Sequence, residues 1–355
     1  MRFKGFASFL ICCASLIALP SYSTTMDELL PDERNTVEIF QKFSPKVVYV
    51  HRLATVVRSF ERTQVPAGAG SGIIWDAQGH IVTNFHVVNG AEHLAVSIGK
   101  LTVPAKVIGT EPRKDLAVLE VKSPKALELL KGFTAFEIAR TNELIVGQKT
   151  IAIGNPFGFD HSLSVGVISA LGRQVPGAGG VTIREMVQTD TSINPGNSGG
   201  PLLDSKGRLI GINTAIYSNS GSSAGVGFAV PADDVARIVP QIIKNGRVVL
   251  AGIGIQWVGP AISKRYGIHR GILIGDILPK TPAALAGLRG TQRDSRGRMH
   301  LGDLIVALNG HPVKNYDALY NLLTDIKVGD GVTVSILRNN KPLNFKMKTI
   351  DIAAY

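Results

Sequence analysis

Between residues 38 and 230 the chain alternates between short apolar runs and turn residues. The runs are rich in Val, Ile and Thr and recur roughly every eight to twelve positions, which is typical of antiparallel strands in a barrel or sandwich. They predict strands at 46–50, 71–75, 80–83, 116–121, 149–153, 209–214 and 227–230. Apolar residues at helical spacing predict a helix over 232–244, with a kink or break at Pro240. The pattern therefore favours a mainly β fold over one in which strands and helices alternate.

A smaller unit follows a boundary at about residues 245–250. It mixes predicted strands at 272–277, 303–308, 331–337 and 343–348 with predicted helices at 282–288 and 316–326. Asn339 and Asn340, between the last two strands, predict a hairpin turn. We therefore expect one domain at 38–246, a small α+β domain at 251–350, and a polar N-terminal extension at 24–37.

Residues 1–23 have the pattern of a secretory signal peptide. Arg2 and Lys4 precede an apolar run at 6–19, which is followed by small residues. The run is shorter than the roughly 20 residues that a transmembrane helix needs. We therefore expect export to the periplasm and cleavage, although an uncleaved segment would give the chain its one membrane contact.

Charge and cysteine content argue against nucleic-acid binding and against chemistry that depends on cysteine. The chain has 38 Lys and Arg against 27 Asp and Glu, a formal net charge of +11, but only 6% aromatic residues. Because no basic run is interleaved with aromatics, we expect no nucleic-acid partner. Both cysteines, Cys12 and Cys13, lie in the predicted signal segment. The remainder therefore has neither a disulfide nor a cysteine nucleophile, and thiolate metal sites are excluded.

Residues 194–202, NPGNSGGPL, carry the sharpest chemical signal. Flanking glycines let the chain turn tightly enough to expose the hydroxyl of Ser198. They also let the amides of Gly196 and Ser198 point at one spot, where a carbonyl oxygen could become an oxyanion. A glycine-rich turn with an incidental serine gives the same local pattern, so the motif needs a base and an acid elsewhere.

His86 and Asp115 are the candidates for those partners. His86 follows the apolar run 81–85, where a histidine could equally be a core residue. Asp115 opens an apolar strand, where an unpaired carboxylate would be costly, although it could instead pair with Lys114 or Arg113. The chain order His86, Asp115, Ser198 is that of the chymotrypsin class, whereas α/β-hydrolases have the order serine, acid, histidine.

Several longer motifs resemble the HtrA (Deg) family of serine proteases over nearly the whole chain. They are TNFHVV at 83–88, DLAVL at 115–119, GNPFG at 154–158, QTDTSINPGNSGGPL at 188–202, GINTAI at 211–216 and GVGFAVP at 225–231. The resemblance implies a chymotrypsin-like protease domain of two six-stranded β-barrels with the active site between them.

The same resemblance implies roles for individual residues. His86 would be the general base, Asp115 would orient it, Ser198 would be the nucleophile, and the Gly196 and Ser198 amides would form the oxyanion hole. Such chemistry requires neither a metal nor a cofactor. Ile193 and Ile216 match the walls of the S1 pocket, so cleavage after small or medium aliphatic residues is expected.

The second unit resembles a PDZ domain. Gly252, Ile253, Gly254 and Ile255 match its carboxylate-binding loop, and the helix at 316–326 would form the other wall of a groove for C-terminal peptides. The two glycines could alternatively serve only as a hinge. The basic insertion at 289–300 resembles that of plant plastid Deg proteases, whereas the N-terminal segment looks secretory.

Together these features predict a periplasmic endoprotease that degrades misfolded envelope proteins and is regulated by its PDZ domain. A chaperone that binds unfolded chains without hydrolysis is the alternative. The resemblance also implies a homotrimer built with the N-terminal segment 27–43, and a regulatory loop at 173–184. The segment 51–66 is short for the loop that blocks the active site in some relatives.

Overall fold

Two closed antiparallel β-barrels of six strands each are followed by a small α+β unit, which confirms the predicted fold class. The structure is a computed structural model and describes residues 25–58, 61–156, 158, 160–176, 182–194, 196–214 and 225–354. The predicted signal segment and Ile216 lie outside these ranges. Within them, no helix is both long enough and apolar enough to cross a bilayer.

The first barrel has the strand order β1-β2-β3-β6-β5-β4. Its strands are β1 (Val47–Arg58), β2 (Glu61–Ile74), β3 (His80–Thr83), β4 (His93–Ile98), β5 (Leu101–Glu111) and β6 (Leu116–Glu120). Adjacent residues point to opposite faces of a strand: Ile74 lies inside the barrel, and Ile73 lies in the core shared with the second barrel. Strands β3, β4 and β6 are buried on both faces over most of their length, which explains why they read as apolar runs.

The second barrel has the order β10-β11-β12-β9-β8-β7. Its strands are β7 (Lys149–Gly154), β8 (Ser162–Pro176), β9 (Thr182–Thr189), β10 (Pro201–Asp204), β11 (Leu209–Thr214) and β12 (Gly227–Pro231). The described residues of this two-barrel unit include the α-helices α1 (Pro31–Phe43), α2 (Phe85–Val88), α3 (Pro124–Leu129) and α4 (Ala232–Asn245).

Helix α4 contacts strands of both barrels and runs through Pro240 without ending, so the predicted break is wrong. Pro240 is on the exposed face, where water can satisfy the carbonyl that loses its partner. On the opposite face Val235, Ile238 and Ile242 are buried. The burial of this apolar face outweighs the local cost of the proline.

Helix α1 was not predicted from the sequence. Its apolar stripe is short, since only Ile39 and Phe43 are buried. Phe43 stacks on Phe136, with ring centroids 5.5 Å apart, and Lys149 Nζ donates to the carbonyl of Asp32 at 2.9 Å. These tertiary contacts fix the helix to the second barrel. The local sequence, a mostly acidic and polar segment, does not by itself predict a helix.

The C-terminal unit contains a sheet with strand order β14-β15-β18-β20-β21, to which β19 adds beside β18. Its strands are β13 (Ala251–Gly252), β14 (Ile255–Trp257), β15 (Ile272–Ile277), β16 (Gln292–Arg293), β17 (Met299–His300), β18 (Leu304–Leu308), β19 (His311–Pro312), β20 (Gly331–Arg338), β21 (Lys341–Lys348) and β22 (Ile350–Asp351). Its helices are α5 (Pro260–Arg265), α6 (Pro282–Leu285) and α7 (Tyr316–Thr324). Asn339 and Asn340 both have positive φ between β20 and β21, as the predicted hairpin turn requires.

Candidate active site

His86 lies on α2, the short helix that follows β3. The neighbouring residues Val87 and Val88 are buried, and they fix the helix to the barrel while 40% of the His86 side chain stays exposed. The expected turn after β3 is therefore a single helical turn. It presents the imidazole at the surface of the first barrel, which argues against a core role for His86.

Asp115 is held against His86 by two hydrogen bonds. Its Oδ2 lies 2.7 Å from His86 Nδ1, and its Oδ1 accepts from the His86 amide at 3.0 Å. Asp115 has φ 52°, a left-handed conformation that costs roughly 1–2 kcal/mol for a non-glycine residue. The backbone turn thus directs the carboxylate to the imidazole. With the Nδ1 proton bonded to Asp115, Nε2 is the nitrogen that can accept a proton.

The alternative pairing of Asp115 with its neighbours does not occur. Lys114 Nζ binds Asp234 at 2.8 Å, and the Arg113 guanidinium lies over the ring of Tyr320, 4.5 Å from its centroid. Both cations are thus engaged elsewhere.

Thr214, at the end of β11, is a functional candidate that sequence reasoning missed. Its hydroxyl donates to Asp115 Oδ2 at 2.5 Å, across the boundary between the barrels. Only the fold shows this contact, because a threonine that ends an apolar strand is unremarkable in sequence. The bond adds a second donor to the oxygen that faces His86.

Thr214→Val should lower kcat/KM for a peptide substrate about tenfold, because a hydrogen bond to a charged group contributes roughly 1.5 kcal/mol. Steady-state kinetics and the melting temperature of the full chain measure the effect. Thr150→Val is the matched control, since the buried Thr150 hydroxyl bonds only to Thr189 and Thr191 among the described residues. Equal losses in both variants would contradict the role of Thr214.

Ser198 lies on a tight loop between the barrels. Its carbonyl accepts from the Ser71 amide of β2 at 2.9 Å, and the next residue, Gly199, donates to Asn213 at 2.8 Å. Gly199 has φ 87°, and a Cβ there would lie 2.1 Å from the Ser71 carbonyl oxygen. Glycine is therefore required to bring Ser198 this close to the first barrel.

The structure places the Ser198 loop beside α2. A Cβ on Gly70 would lie 2.7 Å from Val87 Cγ2 and 3.2 Å from the Ser198 carbonyl oxygen, so Ser198 and the residue after His86 flank the same point of β2. Within the described part of the chain, Ser198 Oγ and the His86 ring make no hydrogen bond to each other. Catalytic hydrogen bonds of this kind often tighten only when substrate binds.

Gly196 and Ser198 could supply two hydrogen-bond donors beside the nucleophile. Among the hydrogen bonds between described residues, neither of their amides donates. Gly196 has φ 115°, and a Cβ there would lie 2.5 Å from Pro156 Cβ. The Asn197 side chain stabilises the loop by two hydrogen bonds: it donates to the Ser192 carbonyl at 2.8 Å and accepts from the Asn194 amide at 3.0 Å.

One wall of the expected S1 pocket is described. Ile193 is fully buried, and a Cβ on Gly227 would lie 2.6 Å from Ile193 Cγ1. The two residues therefore pack against each other in the apolar core of the second barrel. Ile216, the other expected wall, lies outside the described residues.

The expected carboxylate loop packs tightly in the C-terminal unit. A Cβ on Gly254, which has φ 84°, would lie 2.3 Å from Thr281 Cβ, and one on Gly252 would meet Ile352 at 2.5 Å. The Ile253 carbonyl accepts from Ala283 at 2.9 Å. Such packing explains both glycines without a hinge. The carbonyls of the loop are bonded inward, while the Ile253 and Gly254 amides donate to no other described residue.

An apolar groove runs from this loop between β14 and α7. Its walls include Ile253, Ile255, Trp257, Tyr316, Leu319 and Leu323. Trp257 of β14 and Tyr316 of α7 stack across it, with ring centroids 4.7 Å apart and an angle of 7° between the rings. The stacked rings close the groove at this point, so a peptide that adds as a strand beside β14 has to separate them.

Comparisons with known proteins agree with both parts of the fold. A trypsin-like peptidase domain matches residues 70–212, and a PDZ domain matches residues 251–349. Protease Do-like 1, chloroplastic, of Arabidopsis thaliana is 47% identical over 321 residues, which cover 89% of this chain and 72% of that protein. The chain belongs to the HtrA family of serine proteases. It is therefore a serine endopeptidase, and the family predicted from its motifs is confirmed.

Other members of the HtrA family show the same relationship. The periplasmic serine endoprotease DegP of Escherichia coli is 36% identical over 285 residues, covering 79% of this chain and 56% of that protein. Among solved structures, the HtrA-type protease AlgW with decapeptide has a TM-score of 0.64 and 28% identity, with coverage of 89% of this chain and 98% of that chain. Deg5 has a TM-score of 0.51 and 38% identity, with coverage of 62% and 100%.

Proposed function

We propose that this serine endopeptidase hydrolyses misfolded or unfolded envelope proteins, with Ser198 as nucleophile, His86 as general base and Asp115 as the residue that orients His86. The two hydrogen bonds between Asp115 and His86 carry the proposal. In our assignment residues 38–246 form the catalytic unit, and residues 251–350 form the peptide-binding PDZ unit.

The proposed reaction passes through an acyl-enzyme. Ser198 Oγ attacks the peptide carbonyl while His86 Nε2 takes its proton, and Asp115 stabilises the imidazolium that forms. The Gly196 and Ser198 amides donate to the oxyanion, each contributing roughly 3 kcal/mol to lowering the barrier. His86 then protonates the leaving amine, the C–N bond breaks, and a water molecule repeats the sequence to release the acid product.

We propose cleavage after small or medium aliphatic residues, supported by the buried Ile193 beside Gly227. An apolar pocket discriminates by only about 1–3 kcal/mol per methylene. Many unfolded segments would therefore be accepted, as degradation of misfolded proteins requires.

Incubation of the full chain with unfolded β-casein, followed by mass spectrometry of the products, tests this specificity. We expect most cuts to follow Val, Ile or Ala, and a folded protein of similar composition to stay intact. A majority of cuts after Lys or Arg, or equal cleavage of the folded control, would overturn the proposal.

We propose that the groove between β14 and α7 binds the C-terminal carboxylate of peptides at the loop 252–255, where the Ile253 and Gly254 amides are available. The inward-bonded carbonyls and available amides of this loop support the assignment. In fluorescence anisotropy with a C-terminal peptide library, peptides with a carboxylate should bind more tightly than their amidated forms. Equal affinity for the two forms would contradict carboxylate recognition.

Contacts between the PDZ and protease domains support regulation of the active site by the PDZ domain. On α7, Tyr320 lies under Arg113, two residues before Asp115, and Asp317 Oδ1 accepts from the Thr182 amide at 2.6 Å. Burial raises the pKa of Glu111 beside them, an effect that the charge of Arg113 opposes. A peptide that moves α7 would act on the segment that leads into Asp115.

This coupling is testable with Arg113→Ala. At saturating peptide, so that a change in affinity does not enter, a peptide that changes kcat/KM of the wild-type chain should have a smaller effect on the variant. An unchanged effect would exclude coupling through Arg113.

We also propose a homotrimer. Ile145 and Val146, just before β7, expose 71% and 58% of their surfaces, and Leu163 and Val165 on the neighbouring strand β8 expose 39% and 47%. Helix α1 is fixed to the same barrel through Lys149. Exposed apolar patches of this kind mark interaction sites. Light scattering should give three times the subunit mass, and Val165→Glu should lower it, while Leu129→Glu on α3 should not. A monomer with normal proteolysis would contradict the trimer.

We propose the periplasm as the location, supported by the pattern of residues 1–23 and by the periplasmic relatives. The plant relatives are named chloroplastic and are more similar, so the location needs its own test. Residues 1–23 fused to a reporter that is active only after export should yield activity in bacteria, and loss of the apolar run 6–19 should abolish it. An inactive fusion would contradict periplasmic export.

A further inference from the structure

We propose that Ser71 is a positioning residue that holds residues 196–198, the oxyanion loop, in their active arrangement. The inference rests on the proposed function of the Gly196 and Ser198 amides. Ser71 belongs to the first barrel, whereas the two amides that it would position belong to the loop before β10 of the second barrel.

Ser71 is fully buried in β2 and its hydroxyl joins two backbone groups of the second barrel. Oγ donates to the Gly196 carbonyl at 2.6 Å and accepts from the Asn155 amide at 2.8 Å. Its own amide donates to the Ser198 carbonyl at 2.9 Å. One residue therefore contacts the nucleophile, the residue two positions before it and the loop that follows β7.

The Ser71 carbonyl extends these contacts to the first barrel. It accepts from Thr83 Oγ at 2.7 Å, and Thr83 ends the strand that leads into His86. The position of the oxyanion loop is thus tied to the strand that presents the base.

A hydroxyl is suited to this position, because one partner offers an acceptor and the other a donor. A serine hydroxyl can donate to the Gly196 carbonyl and accept from the Asn155 amide at the same time. Gly196 and Asn155 are both buried, so alanine at position 71 would leave both backbone groups without this partner.

Glycine at position 196 makes such a tether necessary. With φ 115°, Gly196 has a backbone that no Cβ restrains, so the peptide groups around it can rotate at low cost. The bond from Ser71 Oγ fixes the Gly196 carbonyl and with it the 196–197 peptide plane, which lies between the two peptide groups that carry the donor amides. The bond from the Ser71 amide fixes the Ser198 carbonyl on the other side of the second donor. Without the bond from Oγ, we expect the two amides to lose their common direction for much of the time.

Ser71→Ala in the full chain tests the proposal. We expect kcat to fall about 100-fold, the size of effect seen when one oxyanion donor is lost, while KM stays within about threefold. A peptide boronic acid forms a tetrahedral adduct on the serine whose oxygen occupies the oxyanion site. Its inhibition constant should therefore rise by a factor similar to the fall in kcat/KM.

Ser97→Ala is the matched control. Ser97 is 5% exposed in the same barrel, and its hydroxyl also joins two groups, His51 Nε2 and Thr102 Oγ1, each at 2.7 Å. We expect Ser97→Ala to lower the melting temperature but to leave kcat and boronate affinity within about twofold.

The results distinguish a failure of the Ser71 role from a failure of the assignment of Ser198 as nucleophile. Folded Ser71→Ala with kcat and boronate affinity near wild type would overturn the positioning role, provided that the boronic acid inhibits the wild-type chain through Ser198. If the boronic acid bound wild type elsewhere, the proposed nucleophile itself would be wrong. Should Ser71→Ala fail to fold, Ser71→Cys keeps nearly the same volume with a weak donor, and unchanged kcat in that variant would equally exclude the role.

Discussion

Ser198→Ala is expected to lower kcat for peptide hydrolysis by about six orders of magnitude, the loss measured when a serine protease is deprived of its nucleophile. Without Oγ no acyl-enzyme forms, and His86 has no hydroxyl to deprotonate. The oxyanion donors and the substrate groove remain, so substrate binding should persist. Casein degradation and single-turnover kinetics with a peptide substrate measure the effect in the full chain.

The comparison with wild type also separates hydrolysis from chaperone activity. Ser198 is 4% exposed, and removing one oxygen leaves the fold intact, so the melting temperature should change little. Equal loss of casein with both proteins, or with neither, would contradict the assignment of Ser198.

Asp115→Asn is expected to lower kcat about 10,000-fold at neutral pH. The carboxylate accepts from His86 Nδ1 at 2.7 Å and from Thr214 Oγ at 2.5 Å. An amide in its place can donate to Nδ1, which moves the proton to Nε2 and leaves the imidazole unable to accept from Ser198. It also removes the negative charge that stabilises the imidazolium.

Asp234→Asn provides the matched control for this change. Asp234 Oδ2 pairs with Lys114 at 2.8 Å, immediately before Asp115 in the chain, yet it makes no hydrogen bond to His86 among the described residues. We expect its kcat to stay within about threefold of wild type even if its melting temperature falls. A similar loss in both aspartate variants would attribute the Asp115 effect to local unfolding.

The fold was predictable where burial of both strand faces left continuous runs of β-branched residues. Strand β3 and strand β11 have the predicted bounds, and the helix at 316–326 is found as Tyr316–Thr324. Helix α1 was missed because two buried residues in 13 give little apolar periodicity. The break at Pro240 was wrong because local propensity yielded to the packing of α4 against both barrels.

The candidate catalytic residues that lie in recognisable sequence motifs were predictable from the sequence. Residue type and chain order alone pair His86 with Asp115, and their hydrogen bonds agree with that pairing. Thr214 and Ser71 could not be found in the same way. The Thr214 hydroxyl reaches a residue 99 positions away and the Ser71 hydroxyl one 125 positions away. Many hydroxyl residues in the chain have similar neighbours in sequence.

Labelling with a fluorophosphonate tests most directly whether His86, Asp115 and Ser198 act as one catalytic unit. We expect one label per chain, located on Ser198 by peptide mapping, and a labelling rate about 100-fold or more lower in His86→Ala. Labelling of another residue, or an unchanged rate without the imidazole, would contradict the assignment of this catalytic unit.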